Sequence, residues 1–273
     1  MNVNGFTSKA SAIRHLKAAG FSIAGLLASP ESNPKVAKNG KLGVLAAPLH
    51  LAPFDLSGFQ VCPQASAGCA AACLHTAGNP AYMAGKEKSR INKTRAYFKE
   101  RAAFMAVLVF EIDALQRKAT RLKMEAGIRL NATSDLPFEK RVVAIDGKET
   151  LIMDAFPSVQ FYDYTKVTKR ALQHAKGAMP RNYHLTFSKT ESNDSDVKEV
   201  LSAGGNVAMV LSREVYKKAI SARLTCIDWD KIGHNKIIDG DIHDFRPADP
   251  RGVVVALKAK GDARHDTSGF VIR

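Results

Sequence analysis

Long apolar runs are missing from this chain. No stretch of about 18 or more uninterrupted apolar residues occurs, so a membrane-spanning helix is not expected. The nearest candidate, residues 21–28 (Phe-Ser-Ile-Ala-Gly-Leu-Leu-Ala), is short and sits behind Arg14 and Lys17, and a secretory leader is not expected either. There is no internal repeat and no low-complexity segment, which excludes repeat arrays. An arginine-rich tail, zinc-finger spacing and an RNA-recognition aromatic motif are all absent, so no familiar nucleic-acid module is present. Cysteine is scarce: four in 273 residues cannot make a disulfide framework, which points to a reducing cytoplasm.

What the chain does have is positive charge. Forty Lys and Arg against 26 Asp and Glu give a net charge of +14, with local concentrations over residues 86–101 and 117–123. That surplus makes nucleic acid the first partner to expect, with a solvated basic surface as the plainer reading. Nothing in the sequence sets the oligomeric state. With 45% hydrophobic residues a substantial core is available, and one large α/β domain of this length is ordinary.

The scarce cysteines are gathered. Three of the four fall in Cys62-Pro-Gln-Ala-Ser-Ala-Gly-Cys69-Ala-Ala-Ala-Cys73. The residues between them are small and polar, so the sulfurs can turn to a common point. Three thiolates from one loop make a metal site, and soft sulfur selects zinc or an iron–sulfur cluster. A closed structural site takes four protein ligands, whereas three leave a coordination position open. His75 or the distant Cys226 would close it. The setting of Cys226, Leu-Thr-Cys-Ile-Asp-Trp, also reads as a buried apolar position.

Along the chain, residues 1–40 read as a helical lead-in and a loop, and residues 41–273 as a single α/β domain. Strands are expected at 41–47, 128–132, 159–163, 183–187, 207–211 and 253–258. A long helix is expected over 81–125, capped by Gly127, with a hairpin around Asp146-Gly147. Helices over 166–176, 195–203 and 213–222 alternate with the later strands. Short apolar strands alternating with helices imply a parallel sheet wrapped by helices. Its expected form is a (β/α) partial barrel with the cysteine loop after the first strand.

Polar residues follow the strand ends: Asn131, Ser134 and Asp135, then Asp163 and Lys166, then Ser188, then Ser212. Such carboxyl ends line the active site in parallel α/β folds, while Ser, Asn and Asp also cap helices, the reading favoured for Ser188 and Ser212. Arg90, Lys93, Arg95 and Lys99 open the long helix, where a bound anion would relieve the dipole; a solvated basic face is the alternative. Near the C-terminus, Asp239, Asp241, His243 and Asp244 do not meet the EF-hand ligand pattern. Asp241 and Asp244 are instead expected to orient Arg246 at the mouth of the barrel.

Several motifs taken together resemble a known group: the cysteine segment with Leu-His-Thr-Ala-Gly after it, Arg-Leu-Asn-Ala-Thr-Ser-Asp, Phe-Tyr-Asp-Tyr-Thr-Lys, Tyr-His-Leu-Thr-Phe-Ser, the Asp-Gly-Asp segment and Lys-Ala-Lys-Gly. In this order, from about residue 40 to the C-terminus, they resemble the phage-encoded proteins of the mycobacteriophage gene product eighty-eight group. The resemblance implies a viral protein acting in the cytoplasm of a bacterial host. A looser architectural similarity, to radical-SAM partial barrels, implies a [4Fe-4S] cluster at Cys62, Cys69 and Cys73. In that reading S-adenosylmethionine or a substrate meets the open iron, Asp135 and Asp163 position it, and Lys166 with Arg246 holds an anionic group. A non-enzymatic nucleic-acid-binding protein with a structural cluster, and a zinc-stabilised module, are the alternatives.

Overall fold

A computed structural model describes residues 1–32, 34–73, 84–221 and 236–273. In chain order the regular elements are α1 (Lys9–Ala18), α2 (Pro34–Ala37), β1 (Val44–Pro48), α3 (Ala67–Ala71), α4 (Ala84–Lys99), α5 (Arg101–Arg121) and β2 (Glu125–Arg129). A hairpin of β3 (Val142–Ile145) and β4 (Lys148–Leu151) precedes β5 (Val159–Thr165), α6 (Thr168–Ala175), β6 (Tyr183–Ser188) and α7 (Asp194–Ser202). The chain then forms β7 (Asn206–Leu211), α8 (Arg213–Ser221), β8 (Ile237–Asp239) and β9 (Val254–Lys258). Among the described residues no helix is long and apolar enough to cross a membrane.

The chain divides into two compact units. The first comprises Met1–Pro63, Tyr82–Tyr162 and Pro180–Tyr183; the second comprises Gln64–Ala81, Asp163–Met179 and His184–Arg273. In the first unit β1, β2 and β5 pair in parallel, with Val44 opposite Glu125, Pro48 opposite Arg129 and Ile128 opposite Phe161. All five residues of β1 are buried, as expected of a parallel strand covered on both faces. In the second unit β6, β7, β9 and β8 pair in parallel in that order. Phe187, Val207, Met209, Leu211 and Val254 pack with Val197, Val200 and Leu201 of α7 to form its core. The α/β class with parallel strands and helical crossovers therefore holds.

The long helix expected over 81–125 is two helices. Glu100 leaves helical geometry (φ −129°, ψ 53°) and ends α4, and α5 begins at Arg101. No glycine or proline marks the break. Residues 104–109 of α5 are all essentially without solvent exposure, so its first half is buried on every side. Gly127 does not cap this helix. Lys123 takes the left-handed conformation instead (φ +56°), and its N–H and that of Met124 reach back to Thr120 and Ala119. Gly127 is needed inside β2, opposite Ala46 and Gln160. The expected hairpin is present, with Asp146 and Gly147 both at positive φ, the geometry of a two-residue type I′ turn.

A buried carboxylate ties the N-terminal segment to α5. Glu111 accepts the N–H groups of Leu26 (3.0 Å) and Leu27 (2.7 Å) and pairs with Lys9 at 2.6 Å. A side chain on Gly25 would put its Cβ 2.8 Å from Glu111 Oε1. Nearby, the basic start of the long helix is occupied structurally. Lys93 donates to the Leu26 carbonyl at 2.9 Å and Arg95 to the Ser57 carbonyl at 3.0 Å, so neither is displayed for an anion. Replacing Glu111 by Ala strands two buried N–H groups and a lysine. It is expected to cost about 2–4 kcal/mol in urea unfolding, with Glu111→Gln losing less.

Candidate functional site

In the second unit the cysteine segment is held by one glutamate. Ser66, in extended backbone, caps the five-residue α3, and its hydroxyl oxygen accepts the Cys69 N–H at 3.2 Å. The same hydroxyl donates to Glu191 Oε2 at 2.7 Å, and the Gly68 N–H donates to Oε1 at 2.8 Å. Burial pushes the Glu191 carboxyl up, but the hydrogen bonds from Ser66 and from backbone N–H groups outweigh it and hold the group below its ordinary value.

Gly68 has no room for a side chain. An added Cβ would lie 2.1 Å from Ser268 Oγ and 2.9 Å from Phe270 Cβ. One turn along, Ala72 packs with Ala259, Ala263 and Val271. Positions 68 and 72 are thus the docked face of this turn. Cys69 lies within this turn and Cys73 two residues past the end of α3, and both are half-buried. Glu191 lies just past the carboxyl end of β6, so the turn sits at the strand ends where parallel sheets keep their ligand sites.

In the first unit Cys62 stands at an equivalent place. Its N–H donates to Gln60 Oε1 at 2.7 Å, and its sulfur lies 3.9 Å from the carbonyl oxygen of Thr133, in the loop after β2. The Thr133 hydroxyl donates to the Leu51 carbonyl (2.6 Å), and the Asp135 N–H to the Val61 carbonyl (2.8 Å). Asn131 braces this loop, accepting from Ser134 and the Leu136 N–H, both at 2.8 Å, and donating to the Leu136 carbonyl. Asn131 is therefore a brace, neither a helix cap nor an open site residue. Asp135 is buried beside it.

The other expected residues separate. Asp163 is fully buried near the carboxyl end of β5, and Lys166 is half-buried just beyond that strand. Ser212 caps α8 as expected, accepting the Val215 N–H at 3.3 Å, whereas Asn193, not Ser188, stands at the start of α7. Arg246 is enclosed by the chain's own polar groups. It is fully buried, reaches the His243 carbonyl at 2.5 Å and His243 Nδ1 at 3.0 Å, and stands 3.1 Å from Asp249. Its partner Asp249 lines the same cavity as His184, near the start of β6, at the amino ends of the strands. Asp241 does not orient it, because Asp241 pairs with Lys260 at 2.7 Å, beyond the carboxyl end of β9.

Among the described residues no group of three His, Cys, Asp or Glu side chains is assembled as a metal site. His75 and Cys226, the residues expected to close the thiol site, lie outside the described residues. The donor chemistry suits a soft metal. The described side chains do not by themselves complete a ligand set.

The second unit holds a further polar site that the sequence did not signal. His174, at the end of α6, and His184, in β6, meet edge to face with ring centroids 4.8 Å apart. They line a cavity of about 180 Å³ with Gly204, Asn206, Asp249 and Arg251. Burial is the main reason both imidazoles are held neutral, and neighbouring charge adds to it. Arg251 acts on His174, which falls to about 4; His174, Arg246 and Arg251 act on His184, which falls to about 3. Ten residues separate the two histidines in sequence, one on a helix and one on a strand, so no periodic pattern links them.

Parallel strands joined by helical crossovers, with half-buried cysteines beyond their carboxyl ends, define an α/β protein. The family model described as Gene product 88 matches residues 26–273, and the chain belongs to that phage protein family. No curated protein and no solved structure matches the chain.

Two outcomes follow from these contacts. Gly68→Ala forces its new methyl into Ser268 and Phe270 and is expected to cost about 1–3 kcal/mol, read as a lower urea midpoint. For the histidines, the unfolded chain takes up protons near the ordinary imidazole value while the folded chain resists until about 4 and 3. Their contribution to stability is therefore full above about pH 6.5 and is lost as the pH falls toward 4. The decline of the urea midpoint over that range should be shallower in His184→Gln than in the wild type.

Proposed function

We propose that this phage protein is an iron–sulfur protein in which Cys62, Cys69 and Cys73 hold one [4Fe-4S] cluster, within a (β/α) partial barrel of the radical-SAM kind. The observation that carries the reading is the fixed backing of the turn that bears Cys69. A glutamate clasp and a glycine without room for a side chain hold this turn at the carboxyl end of β6. Rigid backing of this sort is what a ligand set requires. When bound, such a cluster supplies one-electron chemistry and an iron position not taken by cysteine.

The chain's own residues then have separate tasks. Glu191 and Ser66 fix the direction of the α3 turn. The loop 131–136 fixes Cys62 through Thr133 and the Asp135–Val61 backbone bond. Asp135 and Asp163 are the carboxylates that position S-adenosylmethionine or a substrate, and Lys166 meets an anionic group on it. Arg246, expected to share that task, has its guanidinium beside His243 and Asp249. The setting is the cytoplasm of the bacterial host.

Anaerobic purification of the full chain tests the reading. The expected product is brown and holds iron and inorganic sulfide in equal amounts, and Cys62→Ser, Cys69→Ser and Cys73→Ser each lose the iron while keeping the far-UV circular dichroism of the wild type. Cys226→Ala should keep its iron. A change in the spectrum of the reduced protein on adding S-adenosylmethionine supports the enzymatic form. Zinc in place of iron overturns the cluster, and a colourless, metal-free protein retained on DNA in a salt-dependent way favours a nucleic-acid-binding protein instead.

A further inference from the structure

The imidazole-lined cavity of the second unit is untouched by the cysteine reading. It lies at the amino ends of β6 and β7, the opposite end of those strands from α3. Its polar walls are His174, His184, Asn206, Asp249 and Arg251. At about 180 Å³ it falls below the roughly 300–1,000 Å³ of drug-sized sites, so its occupant is a small ion or one terminal group.

Charge and unmet hydrogen bonds say which kind. The Asp249 carboxylate is 3% exposed and is already matched by Arg246, 3.1 Å away, and by His243 at 3.7 Å. Arg251 has no such counterpart among the described residues; one of its nitrogens donates to the Ala175 carbonyl at 2.8 Å. The cavity therefore carries a positive surplus. Asn206 is 3% exposed, and its Oδ1 accepts the Val253 N–H at 3.2 Å. Its Nδ2 has no partner among the described residues, and neither has His174 Nδ1. A buried amide donor left unmet is costly, and an acceptor-rich ligand relieves it. Water supplies an acceptor but does not answer the guanidinium charge.

We propose that this cavity binds a small oxyanion of the phosphate class, with Arg251 and Asn206 Nδ2 donating to its oxygens and the His174–His184 pair as the adjoining wall. The two guanidinium groups that help keep the imidazoles neutral, those of Arg246 and Arg251, are offset when an anion enters. Binding then draws a proton toward the histidine pair, while Asp249 stays with Arg246.

The test is calorimetric titration of the full-length protein with inorganic phosphate, alongside ¹⁵N spectra of the imidazoles at fixed pH. Saturable binding is expected, with the His174 and His184 signals moving toward the imidazolium position. Arg251→Gln should weaken binding by roughly tenfold or more, the loss of one charged hydrogen bond. Arg251→Lys should keep part of the affinity. Asn206→Asp, with its fold checked by circular dichroism, should also lose binding, whereas Cys69→Ser should bind as the wild type does. Displacement of phosphate by a 5′-phosphorylated oligonucleotide assigns the source to a nucleic-acid end; no displacement assigns it to free phosphate, and either result upholds the site. Absence of saturable binding, imidazole signals that do not move, or wild-type affinity in both Arg251→Gln and Asn206→Asp overturns it.

Discussion

The Glu191 clasp is the interaction on which the candidate metal site rests. One carboxylate accepts both the Ser66 hydroxyl and the Gly68 N–H, and the same serine oxygen accepts the Cys69 N–H. A five-residue helix has too few internal hydrogen bonds to hold itself in water, so α3 depends on these contacts and on its packing. The clasp is worth more than its bond count because it is charge-assisted and because Gly68 lets the backbone approach Ser268 and Phe270 directly. The Cys69 side chain inherits its direction from this arrangement.

Parallel strands give the second unit two chemically different ends. At the carboxyl ends are Glu191, the Cys69 thiol of α3, and the Asp241–Lys260 pair. At the amino ends are the neutral histidine pair, the orphaned Asn206 amide, and the buried Arg246–Asp249 pair. Strands of six residues, at about 3.3 Å each, keep the two sets roughly 20 Å apart. The cysteine turn and the histidine cavity are thus segregated at opposite ends of the same strands.

Much of the fold was legible in the residues. Each strand expected at 41–47, 128–132, 159–163, 183–187, 207–211 and 253–258 overlaps an observed one, although β2 begins three residues earlier than expected, at Glu125. The Asp146–Gly147 turn was readable because only residues tolerant of positive φ fit it. The break at Glu100 was not, since neither Glu100 nor its neighbours disfavours a helix; α5 is turned by the surroundings of its buried first half. Lys123 as the left-handed terminus was hidden for a related reason. Gly127 looked like the better cap, but strand pairing claimed it.

The chain alone determined the α/β class, the clustering of three thiols, the positive surplus and the polar character of the strand ends, because each follows from residue type and local spacing. Tertiary structure decided which of those polar residues remain available. It turned Asn131 into a loop brace, committed Lys93 and Arg95 to backbone carbonyls, and buried Arg246 at the amino ends of the strands. It also brought His174 and His184 together from a helix and a strand. The physical reason is common to all four. A polar group's role is fixed by the partner it finds on burial, and that partner lies elsewhere along the chain, out of reach of local pattern.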